Sequence, residues 1–129
     1  MIQRFIELGE GYSDLYELIE TAKANKNRAD RLLLLKTEKN GSAFLSAAVV
    51  MKPTDPGGFQ AIYLCREGIP DPAVRENKRY TLIQDLAEEL GLTTAVLTVK
   101  PSSAFHEAEL YYQYLIGILR LNHLIPPMK

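Results

Sequence analysis

The sequence predicts an α/β (α+β) domain. Its mixed sheet of four to five strands is built around an antiparallel three-stranded meander, in the order (β)-α-β-β-β-α-β-α. Three observations predict it. Asn40-Gly41 lies between two apolar runs, and that dipeptide tolerates the positive φ of a tight hairpin. Leu82, Ile83, Leu86, Ala87 and Leu90 form one helical face that closes at Gly91. The β-branched run from Thr94 to Val99 follows that helix, and a strand placed after a helix favours a crossover to parallel pairing.

Each element has a local reason. Ile2, Arg4, Ile6 and Leu8 alternate, with Phe5 on the other side, so residues 2–8 read as a short first strand. Gly9-Glu10-Gly11 is a turn, and Ser13 is the expected N-cap of a helix with Asp14 in its first turn. Leu15, Leu18, Ile19 and Ala22 supply its apolar face, and it fades in residues 24–27. Leu32 to Leu35 are four consecutive leucines, read as a strand buried on both sides between helical layers. Ala43 to Met51 is the second meander strand, and Phe59 to Arg66 the third. The breakers between them, Pro53, Asp55, Pro56, Gly57 and Gly58, make a loop in which Asp55 is a turn residue. Gly68, Pro70 and Pro72 predict a second loop over residues 67–77, of the length more often found at functional sites. Ser102 or Ser103 is expected to cap a last helix running to about Asn122.

Composition narrows the function. The 129 residues fit one domain, residues 1–129, with a folded surface of roughly 7,000 Å² by mass scaling. Fifteen basic and sixteen acidic residues leave a charge of −1, which argues against nucleic acid or a membrane surface as the main partner. That total is a cancellation: residues 1–20 carry −4, residues 23–39 carry +4, residues 75–79 carry +2 and residues 80–99 carry −3. No apolar run reaches the roughly 18 residues of a spanning helix. One cysteine, Cys65, forms no internal pair, and with no signal-peptide pattern at residues 1–4 a cytoplasmic location is expected.

Catalytic patterns are sparse, so no catalytic residue, metal or cofactor is assigned. His106 and His123 are the only histidines and lie roughly 25 Å apart along a helix, too far to share a metal. Cys65 sits within an apolar strand and reads as a buried structural thiol. No Gly-x-Ser-x-Gly elbow and no Gly-rich phosphate motif occurs. Glu17 and Glu20 read as a solvated acidic face. The expected binding place is the crevice where the third meander strand ends. There Arg66, Glu67, Arg75, Lys78 and Arg79 gather before a helix N-terminus, and a small anionic ligand is the expected occupant. The last helix is apolar almost all round, which predicts a homodimer with Tyr111, Tyr112, Tyr114 and Ile118 in its interface. Gly117 there fits either a close helix approach or simple tolerance.

Three resemblances bear on function. Residues 2–14, Pro53-Thr-Asp-Pro-Gly57, Cys65-Arg-Glu-Gly-Ile-Pro70 and residues 110–117 resemble a small bacterial family of uncharacterised single-domain proteins, some labelled methylthioribose kinase. The metal-binding acids and phosphate-gripping lysine of a kinase have no counterpart in the chain. The element order, and Glu89 to Val99, are similar to GCN5-related acyltransferases. This resemblance implies a coenzyme A site between splayed third and fourth strands. Where that family's pyrophosphate loop has glycines, this chain has Lys78 and Tyr80 after Arg75, so its coenzyme A loop is degenerate. The order also resembles the core of restriction-endonuclease-like nucleases, but the third strand, Phe59 to Glu67, lacks their acid-x-Lys. The expected function is a non-catalytic or regulatory binding module. A degenerate acyltransferase-like domain is the alternative.

Overall fold

The computed structural model describes residues 2–53, 59–73 and 76–126. Strand β1 (Ile2–Gly9) leads into helix α1 (Tyr12–Ala24). The meander follows as β2 (Ala29–Lys39), β3 (Ser42–Met51) and β4 (Phe59–Pro70). Then come α2 (Lys78–Leu90), β5 (Thr93–Thr98), a single 3₁₀ turn at Ser102–Ala104, and α3 (Ala108–Leu121). The five strands form one mixed sheet in the order β1-β4-β3-β2-β5. β1 and β4 are parallel, as are β2 and β5, while β3 is antiparallel to both its neighbours. The accessible surface is 7341 Å².

The four leucines explain the layering. Successive side chains of a strand point to opposite faces. Leu32 and Leu34 therefore join Leu15, Leu18, Ile83 and Leu86 beneath α1 and α2, while Leu33 and Leu35 join Tyr111, Leu115 and Leu119 beneath α3. The expected hairpin forms at Asn40 (φ 53°) and Gly41 (φ 80°), two consecutive left-handed residues. Gly91 (φ 65°) closes α2, and its amide donates to the carbonyls of Ala87 and Glu88.

The structure corrects four expectations. β5 pairs with β2, and β2 and β3 separate it from β4. The third meander strand β4 and the strand β5 that follows α2 are thus not neighbours, and the splayed pair of an acyltransferase does not form. The N-cap of α1 is Gly11, not Ser13, because Asp14 reaches back to accept from the Gly11 amide at 2.9 Å. β4 does not stop at Arg66. It resumes beyond a bulge, Ile69 pairs with Leu45, and the following loop is correspondingly shorter. Neither Ser102 nor Ser103 caps α3, which starts at Ala108, because Ser102 is held by β4 instead.

Candidate functional site

The expected crevice is built on that bulge. Ala47 pairs with Cys65 and Leu45 with Ile69, so Arg66, Glu67 and Gly68 together oppose Ser46. Glu67 adopts φ 49°, a left-handed conformation costly for a residue with a Cβ. Gly68 is required beside it, since a Cβ there would collide with the Glu10 carbonyl oxygen. The bulge turns both Arg66 and Glu67 toward the α3 face, where two successive strand residues would otherwise diverge.

There Arg66 meets two carboxylates and a hydroxyl. Its guanidinium lies 2.7 Å from Glu7 Oε1 through Nε and 2.7 Å from Glu10 Oε1 through Nη2. Nη1 donates to Ser102 Oγ at 3.3 Å. Glu67 Oε1 accepts from the Ser102 hydroxyl and from the Ser102 amide, the latter at 3.2 Å. The Glu67 amide, taken out of the ladder by the bulge, donates to Ser46 Oγ at 2.8 Å, and Ser46 also hydrogen-bonds Tyr111. Burial pushes the Glu7 carboxyl up, with Arg66 opposing. Burial also raises Tyr111, and it lifts the Cys65 thiol to about 12, which leaves little thiolate.

Of the five residues expected at the crevice, Arg66 and Glu67 both contact Ser102, and Arg79 of α2 donates to the Gly68 carbonyl. Lys78 is exposed on the first turn of α2. Arg75 lies outside the described residues, as does Asp55. The chemistry of the place differs from the expectation. Three carboxylates surround one guanidinium that is already paired, so the cluster ties β1, β4 and the 3₁₀ turn together and offers an anion no free cation. Sequence reasoning missed Glu7, Glu10, Ser46 and Ser102, and only the Glu67-Gly68 pair hinted at a bulge.

The expected dimer residues also divide. Tyr111 is 2 % exposed and belongs to the chain's own core. Tyr112 stacks on Phe5 with ring centroids 5.2 Å apart. Tyr114 packs on Phe105, and its hydroxyl accepts from the Lys100 amide at 2.9 Å. Ile118 is half-buried. The tyrosines thus turn toward the sheet, and the outer face of α3 is Leu110, Gln113, Gly117 and Leu121. A Cβ on Gly117 would meet nothing within 4 Å, so no neighbour requires glycine there.

Residues 1–125 match the family described as a domain of unknown function, DUF7147. The chain belongs to that family. No curated protein and no solved structure matches it. No helix among the described residues is long and apolar enough to cross a membrane. Among those residues no group of three or more His, Cys, Asp or Glu side chains is placed to hold a metal.

Proposed function

We propose that this DUF7147 chain is a cytosolic binding module without catalytic activity of its own, and that it works as a homodimer joined at the free edge of β5. The observation that carries the proposal is the state of that edge. The Val99 amide donates to the Lys36 carbonyl of β2 at 2.9 Å. By strand alternation Ala95 and Leu97 also face β2, so Thr94, Val96 and Thr98 direct their amides and carbonyls away from the sheet. Soluble proteins blunt such edges with charge, proline or a bulge. β5 reads Thr-Thr-Ala-Val-Leu-Thr and has none of these, and Val96 is 62 % exposed. The other edge, β1, carries Arg4 and Glu7 and a register shift after Glu7.

A second copy suits this edge. A two-fold axis brings like residues together, so a self-pairing strand works best without charge. Antiparallel pairing with Val96 facing Val96 sets Thr94 against Thr98 and extends the sheet across both copies. Beside the edge, α2 and β2 leave a groove of about 410 Å³ floored by Leu32, Leu34 and Ile83, on the face to which Val96 points. The buried, weakly acidic Cys65 and the occupied Arg66 support a non-catalytic reading.

Light scattering at micromolar concentration tests the assembly. The expected mass is twice the 14.5 kDa of one chain. Val96→Pro removes one outward amide, leaves the β2 ladder intact and is expected to give the single-chain mass. A wild-type chain at 14.5 kDa overturns the dimer. A Val96→Pro dimer that Leu121→Glu dissociates moves the interface to the outer face of α3, where Leu121 is 81 % exposed.

A further inference from the structure

We infer that a cleft at the other end of β4, beneath the C-terminal turn of α3, binds a phosphate-bearing small molecule. The inference gives a ligand class to the binding-module reading and rests on it for its role. The cleft measures about 450 Å³, and its polar lining is Asp30, Arg31, Lys52, Gln60 and His123. These come from the start of β2, the end of β3, the start of β4 and the turn after α3.

Four observations point to an anion there. First, the cations are only loosely engaged. Arg31 Nε is buried without a hydrogen-bond partner, and its nearest carboxylate oxygen, Asp30 Oδ2, is 3.9 Å away. Lys52 has no ion pair among the described residues. Arg66, where the sequence suggested an anion site, is paired at 2.7 Å with both Glu7 and Glu10.

Second, a buried amide is oriented toward the space. Gln60 is 3 % exposed and lines the cleft. Arg120 Nη2 donates to Gln3 Oε1 at 2.6 Å, and Gln3 Nε2 donates to Gln60 Oε1 at 3.3 Å. That relay occupies Gln60 Oε1, so the donor side of its amide is Nε2. Third, Asp30 is the extra residue of a bulge. Ala29 pairs with Met51 but Arg31 with Val50, and bulges re-aim side chains beside binding sites.

Fourth, His123 sits at φ 58° just past the α3 cap, where the Leu124 amide closes the turn on the Leu119 carbonyl at 2.9 Å. Glycine is the usual occupant of that position, and a side chain there is held against a conformational cost. An imidazole facing the cleft gives the cost a purpose. Donors on four elements exceed what the two oxygens of a carboxylate use and suit a tetrahedral phosphate. Asp30 holds the local sum of Arg31 and Lys52 to +1, so directed donors matter as well as charge. Leu124, Ile125 and Pro53 form an apolar wall for the rest of the molecule.

An NMR titration of the full chain tests this, with phenyl phosphate as the probe and benzyl alcohol as its neutral counterpart. Phenyl phosphate is expected to shift the amides of Arg31, Lys52, Gln60 and His123 saturably, and benzyl alcohol is not. Lys52→Ala is expected to weaken binding about ten-fold. His123→Gly is expected to weaken it while leaving the fold at least as stable, and Lys78→Ala is expected to change nothing. No saturable shift at millimolar phenyl phosphate overturns the inference, as does equal affinity in Lys52→Ala and wild type. Binding to a chain that stays single at NMR concentration refutes the dimer and leaves the cleft standing.

Discussion

Ser46 stands alone opposite three residues of β4 and supplies what the interrupted ladder does not. Its hydroxyl accepts from the Glu67 amide and hydrogen-bonds Tyr111. Ser46→Ala leaves both groups buried without partners. The expected loss is about 2 kcal/mol, read from urea unfolding; a loss near zero contradicts the role given to Ser46. Glu7, nearby, has a pH signature. Burial raises its carboxyl above the ordinary 4.5 despite Arg66. Between 4.5 and the raised value the folded chain keeps a proton that the unfolded chain has released, so stability falls as pH rises through that window. Asp71 acts in the opposite sense. The Ala73 amide and Lys36 hold its carboxyl below the ordinary 3.8, and its contribution is lost as pH falls through the lowered value. Glu7→Gln is expected to flatten the fall above pH 4.5, measured as the urea midpoint across pH; an unchanged slope contradicts the assignment.

The elements were legible in proportion to how local their causes are. The hairpin was readable because Asn40 and Gly41 are two of the few residues that take positive φ cheaply. Gly41→Ala tests this directly. A Cβ there meets no atom within 4 Å, so any cost is backbone strain alone. About 1 kcal/mol of destabilisation is expected, and none contradicts the turn assignment. α2 was readable from its apolar face and Gly91. The bulge in β4 was not, because Glu67 takes its left-handed conformation only where Ser46 and Ser102 hold it, and both are distant in sequence. α3 misled for a related reason. With apolar residues on every side, periodicity does not tell its inner face from its outer one, and Tyr111 proved central while Leu110 and Leu121 stayed exposed.

For the whole molecule, the order of elements and the meander followed from local signals, while the placement of β5 beside β2 did not. That placement removes the acyltransferase arrangement and leaves an uncharged edge open to pairing. The site was legible only in part. Arg66 and Glu67 do gather at the end of β4, but their partners come from β1 and the 3₁₀ turn. The cations of the cleft lie at the far end of β4 instead, where Arg31, from the basic stretch of residues 23–39, stands beside Lys52. The central claim is that β5 pairs with a second copy, and amide hydrogen exchange at Thr94, Val96 and Thr98 tests it most directly. In the dimer these outward amides are hydrogen-bonded. The account predicts that their protection rises with protein concentration and disappears in Val96→Lys. Rapid exchange at all three positions, unchanged from low to high concentration, would contradict it.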